Sequence, residues 1–346
     1  MGGNLRLGRG EAVQTVWRRW SAAAALTIAC LAWGAGTAAS AAQAPVQGGA
    51  IAFVSARVGF VLLDRQPPPG PQRAPHLSLY RTDDGGRSWR MVGGGVSPLP
   101  NGTVQALALT FMGPQRGYLL LSLGASACQA ELAVLATTDG GRTWRRLGGI
   151  IPATDGASTI AAWRGRPVVL NAACGAPGLV LDTFRLRRWR STALAVPAAL
   201  RGGDATASAI WAGPGRHGLE VAAAYQGPSA RRPVLVRLSA AAGTSRWRFS
   251  VLPMGHLAAG LWMQALAFAG PRAGVAASAS GRLLATVDGG ATWRQGRALP
   301  LRYVDAARAA MVAPSIAFVL LTGRLGAALW RTANGGATWR PLPLPA

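Results

Sequence analysis

Short apolar runs rich in Val, Leu, Ile and Ala, separated by Gly, Pro, Asp and Arg, fill the chain from about residue 50 to its end. Runs of that length between turn residues read as strands. No stretch after the N-terminal segment keeps a helical period. The runs come in fours. In the first unit they fall at 51–55, 59–63, 77–82 and 88–92, in the third at 159–163, 167–172, 178–184 and 189–194, and in the fifth at 264–269, 274–279, 282–287 and 292–294. The inner strands are apolar on both faces, as expected where neighbouring units pack on each other. Six such units predict an all-β, six-bladed β-propeller of four-stranded antiparallel blades. A seventh blade is the fallback, should residues 44–50 add more than a strand end.

Each unit closes on a Trp-Arg dyad. The tryptophans are Trp89, Trp144, Trp189, Trp247, Trp293 and Trp339, spaced 55, 45, 58, 46 and 46 residues apart, a period that belongs to radially repeated or stacked units. In four units a glycine turn precedes the dyad: Thr82, Asp84, Gly86 and Trp89; Thr137, Asp139, Gly141 and Trp144; Thr286, Asp288, Gly290 and Trp293; Thr332, Asn334, Gly336 and Trp339. The Gly-Gly pair supplies positive φ. The Asp or Asn oxygen accepts from the turn's own N–H groups, and Thr adds a second local bond. Asn334 keeps an acceptor while losing the charge. The ring packs over the turn and into the next blade. Strand alternation then sends Arg90, Arg145, Arg190, Arg248, Arg294 and Arg340 outward, as an anion-binding rim or as solvated charge that discourages edge-to-edge pairing.

These turns resemble the Asp-box, or BNR repeat, of sialidase-like propellers, sortilin-type receptors and the photosystem II assembly factor group. Asp-Gly-Gly-Arg-Thr-Trp, with Phe53 before Gly59-Phe60 and Phe111 before Gly117-Tyr118, is most similar to the last group and its bacterial relatives. The resemblance covers nearly all of residues 50–346. It implies a structural role for the boxes, ligands on the face away from them, and a membrane protein or complex under assembly as partner. Function does not follow from the box itself, which recurs across unrelated activities.

Composition narrows the setting. Arg6, Arg9, Arg18 and Arg19 precede an apolar stretch at 21–35 and then Ala39-Ser40-Ala41. That order predicts a signal peptide over residues 1–41, or an uncleaved anchor, with the propeller at 45–346 outside the cytoplasm, secreted, periplasmic or on the surface. The chain carries +24, and +21 without residues 1–41 (32 Arg less 11 acids). There is no lysine. Arg and Ala codons are GC-rich, so genome composition contributes. A body this basic still attracts anionic surfaces in a salt-dependent way. The expected partners are a membrane or envelope protein, or an anionic envelope polymer, with no nucleic acid, and the expected state is a monomer.

Strand order puts the first-to-second loops and the boxes on one face. The other face collects the longer loops at 64–75, 93–104, 150–157, 226–232 and 253–260. Cys128 and Cys174 fall in such loops of adjacent blades, 16 and 15 residues before their tryptophans, which predicts a disulfide, with two free thiols the alternative. Catalytic residues are scarce. Beyond residue 41 there are two Glu, Glu131 and Glu220, and four Tyr, of which Tyr303 sits in a fourth-to-first loop. Three of the nine Asp are in boxes. A sialidase needs Arg, a Tyr–Glu pair and an Asp, and Ser55-Ala56-Arg57-Val58-Gly59 stands where its Arg-Ile-Pro would. His76, His217 and His256 are scattered singly, so no metal or cofactor is expected. The chain thus reads as a non-catalytic protein-binding scaffold or assembly factor. The alternative is a glycan- or wall-polymer-directed protein, lectin-like or a sialidase-like hydrolase.

Overall fold

The computed structural model describes residues 46–65, 76–93, 95–96, 104–124, 131–152, 158–172, 178–197, 200, 204–212, 218–226, 234–240, 247–254, 262–298, 304–323 and 326–345. All of them belong to one unit spanning Gln43–Ala346. They form six four-stranded antiparallel blades, a six-bladed β-propeller, each built from one continuous piece of chain. The first blade is β1 (Val46–Phe53), β2 (Gly59–Arg65), β3 (His76–Thr82) and β4 (Arg90–Met91). The second is β5 (Val104–Phe111), β6 (Gly117–Leu123), β7 (Glu131–Thr137) and β8 (Arg145–Arg146), with β9 (Ile151–Pro152) pairing back onto β7. The third is β10 (Thr159–Trp163), β11 (Arg166–Ala172), β12 (Leu179–Arg185) and β13 (Arg188–Leu194). The fourth is β14 (Asp204–Ala212), β15 (Leu219–Gln226), β16 (Val234–Ala240) and β17 (Trp247–Pro253). The fifth is β18 (Met263–Phe268), β19 (Gly274–Ser278), β20 (Arg282–Thr286) and β21 (Arg294–Ala298). The sixth is β22 (Ala306–Ala313), β23 (Ile316–Gly323), β24 (Gly326–Thr332) and β25 (Arg340–Leu342).

Residues 46–50 do extend β1, but within the first blade, so the count stays at six. Two kinds of strand reading needed correction. In the four boxed blades the outer strand starts only after the Trp, at Arg90, Arg145, Arg294 and Arg340, because Ser88, Thr143, Thr292 and Thr338 are still inside the box turn, bonded to Asp84, Asp139, Asp288 and Asn334. Residues 151–152, read as loop, form β9 because Ile151, 2% exposed, fills the blade-two core.

Burial follows radial position. The innermost strands pack on those of both neighbours, and β22 returns to β1 to close the ring. The second strands are buried along nearly their whole length, β6 and β19 above all, because a blade covers each face. The outermost strands β4, β8, β13 and β25 are mostly exposed. Blades join through aromatic stacks. Phe60 lies on Phe111 at 3.7 Å, Trp211 on Phe268 at 4.6 Å, and Phe53 on Phe318 at 3.4 Å between the last blade and the first. Burying one such ring contributes about 1.5–3 kcal/mol, so apolar contact rather than exchanged strands holds the ring.

The four boxes share one bonding plan. The Thr82 hydroxyl donates to Asp84 Oδ1 at 2.8 Å and accepts from the Gly86 N–H at 2.9 Å, while the Ser88 hydroxyl donates to Oδ2 at 2.6 Å. Asp139 and Asp288 repeat it with Thr143 and Thr292. At Asn334 one bond reverses: its Nδ2 donates to the Thr338 hydroxyl at 2.9 Å. The first glycine of each pair donates to the first-to-second loop on the same face, at Arg57, Gln115, Arg272 and Ser315. The second glycine carries φ of 88–98° and meets the preceding blade: a Cβ at Gly141 would come within 2.2 Å of Leu79. Positive φ was the sequence reason for the pair; this close approach is a second one.

Candidate functional site

A central channel of about 590 Å³ runs where the six innermost strands converge. Its wall is mostly Ala, Leu, Ile, Ser and Thr. Of its described lining residues only Asp305 and Arg308 carry charge. Asp305 is exposed at the start of β22, its N–H bonded to Thr322 O at 2.9 Å. Arg308 sits deeper. Its Nε donates to Leu107 O, crossing from blade six to blade two, and Nη1 donates to Ala307 O at 2.8 Å. The Leu107 carbonyl is available because Leu107 is the extra residue of a β-bulge between Ala106 and Ala108. Protein surrounds the guanidinium, and what solvent reaches it comes through the channel; burial lowers its pKa to about 10, which leaves it charged at neutral pH. The channel therefore offers hydroxyls, one exposed carboxylate and one tethered cation. An isolated Arg within Ala306-Ala307-Arg308-Ala309-Ala310 was the sequence signal for this residue, and it went unread.

The remaining acids are placed elsewhere. Glu220, buried, pairs with Arg237 Nη2 at 2.7 Å. That guanidinium also lies over Trp211 at 5.5 Å and donates to Pro271 O and Gly289 O, so it braces the box of blade five. Asp182 is buried, accepts from the Ser191 hydroxyl at 2.5 Å, and has its pKa raised by burial against that bond. Asp64, at the end of β2, is pushed up to about 6 by burial. Glu131 is exposed at the start of β7. Among the described residues no three His, Cys, Asp or Glu come together as a metal site.

The rim arginines lie on one circumference and not in one site. Arg90, Arg145, Arg190, Arg248, Arg294 and Arg340 occupy the outermost strands of six different blades, all exposed. Arg90 approaches Asp83 at 3.4 Å, and Arg145 lines a cavity between blades two and three. Their tryptophans turn inward: Trp89, Trp144 and Trp293 meet Phe53, Phe111 and Phe268 edge-on at 6.3, 6.4 and 6.3 Å. Trp89 and Trp189 also donate to the preceding blade, at Pro343 O and Leu147 O. Cys128, Cys174, Tyr303, His217, His256 and most of the long loops opposite the boxes lie outside the described residues, as does the segment 1–41.

Neither a known protein family nor a curated protein sequence matches the chain. Solved structures do. An α-L-arabinanase of Penicillium chrysogenum, complexed with arabinobiose, superposes with a TM-score of 0.62 at 11% identity, over 81% of this chain and 89% of that one. The GH93 α-L-arabinofuranosidase of Fusarium graminearum gives 0.58 at 12% identity, over 81% and 88%. YCF48 bound to a D1 peptide gives 0.44 at 17% identity, over 84% and 95%. At such identities the arabinanase and the arabinofuranosidase show a likeness in fold alone.

Proposed function

We propose that this chain is a non-catalytic propeller that binds a protein partner at the cell envelope, outside the cytoplasm. The observation that carries the reading is the channel wall. Glycoside hydrolysis by two carboxylates needs an acid and a base about 5–10 Å apart flanking the sugar. Among the described residues the charged lining is one exposed carboxylate and one guanidinium already bonded across the channel. The export-type N-terminal sequence and the Arg-only positive charge support an envelope setting with an anionic or membrane-embedded partner.

Affinity capture of the tagged protein from its own envelope fraction tests this, with washes at low and then high salt. A defined membrane protein retained at high salt is the expected result. Release of anionic polymer alone as salt rises would transfer the reading to wall or glycan binding. Turnover of sialosides or arabino-oligosaccharides by the purified protein, lost on Asp305→Asn, would replace it with a hydrolase.

A further inference from the structure

The third blade lacks a box, and this opens a groove on the box face. Its third-to-fourth connection is the two-residue turn Leu186–Arg187, and its first-to-second connection is Arg164–Gly165. In the boxed blades two, five and six the second glycine presses onto the outer strands of the preceding blade, at Leu79, Leu235 and Ala285. Blade three has no such glycine and reaches blade two through Phe184 and Trp189 instead. A cavity of about 390 Å³ lies between the two blades, and a second of about 300 Å³, lined by blade-three residues, adjoins it at Arg166, Pro167 and Phe184. No acidic side chain lines either one.

Three features define what fits. Arg116, Arg145 and Arg166 ring the larger cavity, all exposed and without an ion-pair partner among the described residues. Its floor is apolar, with Leu147, Pro167 and Phe184, and its one phenol is satisfied: Tyr118 donates to Gly165 O at 2.9 Å. An apolar guest would strand no polar group there. The rim displays Leu186, 87% exposed, at φ 49°, followed by Arg187 at φ 63°. A tight turn of this kind favours Asn-Gly, and holding Leu and Arg in it costs local strain.

We propose that this groove binds an acidic peptide segment through one apolar anchor side chain, seated on Phe184 and Pro167, with flanking carboxylates on Arg116, Arg145 and Arg166. Arg clusters recognise acidic motifs by charge-assisted hydrogen bonds. An anionic polysaccharide or polyphosphate would satisfy the arginines but leave the apolar floor without a partner. The proposal rests on the protein-binding reading and gives it a surface.

Fluorescence anisotropy of a labelled synthetic peptide, Glu-Asp-Glu-Phe-Glu-Asp-Glu, on the purified protein tests it. Binding should weaken at least ~tenfold with Arg145→Glu/Arg166→Glu, and several-fold with Leu186→Asp, which lies on an exposed turn and leaves the fold intact. Arg308→Met should bind as wild type. Replacing the peptide's Phe by Ala, or its acids by Gln and Asn, should each abolish most of the signal. Equal binding by the Ala peptide, full competition by polygalacturonate, or no loss in the charge-reversed variant would overturn the proposal. Because the assay uses purified protein and a defined peptide, its failure leaves the envelope-capture result standing on its own.

Discussion

At the residue scale, two kinds of aspartate in this chain respond to pH with opposite sign. In the box of blade two, desolvation works against the Asp139 carboxylate, but the Thr143 hydroxyl and N–H and then the Thr137 hydroxyl outweigh it and bring its pKa down to about 2. A carboxyl whose folded pKa is depressed stabilises the fold above its ordinary value, near 4, and loses that contribution as pH falls towards 2. Asp288 behaves alike, whereas Asn334 holds a similar turn without titrating. Asp139→Asn should therefore keep most of the stability at neutral pH and flatten acid unfolding between about pH 4 and 2, while Asp139→Ala should cost about 1–2 kcal/mol at neutral pH. Urea midpoints at the two pH values separate these outcomes. Asp64 runs the other way. Burial raises it to about 6, so ionisation penalises the folded state as pH climbs from about 4 through 6. Asp64→Asn should stabilise the fold at pH 7 by about 1 kcal/mol once partial exposure is allowed for, seen as a higher melting temperature, and leave it unchanged at pH 4.

At the element scale, the Phe-then-Gly spacing seen in the sequence has a steric cause. Phe53, Phe111 and Phe268 each pair across the first hairpin with a glycine, Gly59, Gly117 and Gly274, and the ring lies flat on it. A Cβ at Gly117 would sit 2.7 Å from the Phe111 ring. Its φ is ordinary, so the constraint is contact and not backbone strain. In blade six the pair is Met311 and Ala317: a slimmer side chain stands opposite a residue that has a Cβ. Gly117→Ala alone should cost about 1–3 kcal/mol, and adding Phe111→Met should cost less than the two single changes summed. A double-mutant cycle by chemical denaturation that came out additive would remove the steric account. Blade count, blade limits and boxes were legible because each repeats locally, turn by turn, whereas the extra strand β9 was not. The Arg308 tether was not, because Leu107 and Arg308 are 201 residues apart and meet only across the ring. The blade-three groove was also hidden, since it arises from a turn that is shorter than its counterparts.

At the scale of the whole molecule, the ring has one seam. Every other blade junction is crossed by the chain itself, but the sixth blade meets the first without a shared strand. What closes it is side-chain packing of Ile51, Phe53 and Val61 against Phe318, Leu320 and Leu329, together with the C-terminal tail. The tail reaches back across the seam: Trp89 Nε1 donates to Pro343 O and Arg65 Nη2 to Pro345 O, both at 2.9 Å, while Leu344 adds to the apolar cluster. High positive charge works against closure everywhere in the ring, so added salt up to about 0.5 M should stabilise the fold by screening. The seam should open first, because its loss breaks no chain connection and exposes one interface only. Hydrogen exchange is then expected to be fastest in β1 and β25 among the strands flanking blade junctions. Ending the chain after Leu342 should accelerate it further and cost about 2–4 kcal/mol, the sum of two hydrogen bonds and one buried leucine contact. The matched comparison is Trp89→Phe with Trp189→Phe, since each removes one indole bond to the preceding blade, but only the first lies on the seam. If the ring is closed by side chains alone, Trp89→Phe speeds exchange in β1 and β25 together, while Trp189→Phe stays local to blades two and three; equal, local effects would mean that all six junctions open independently.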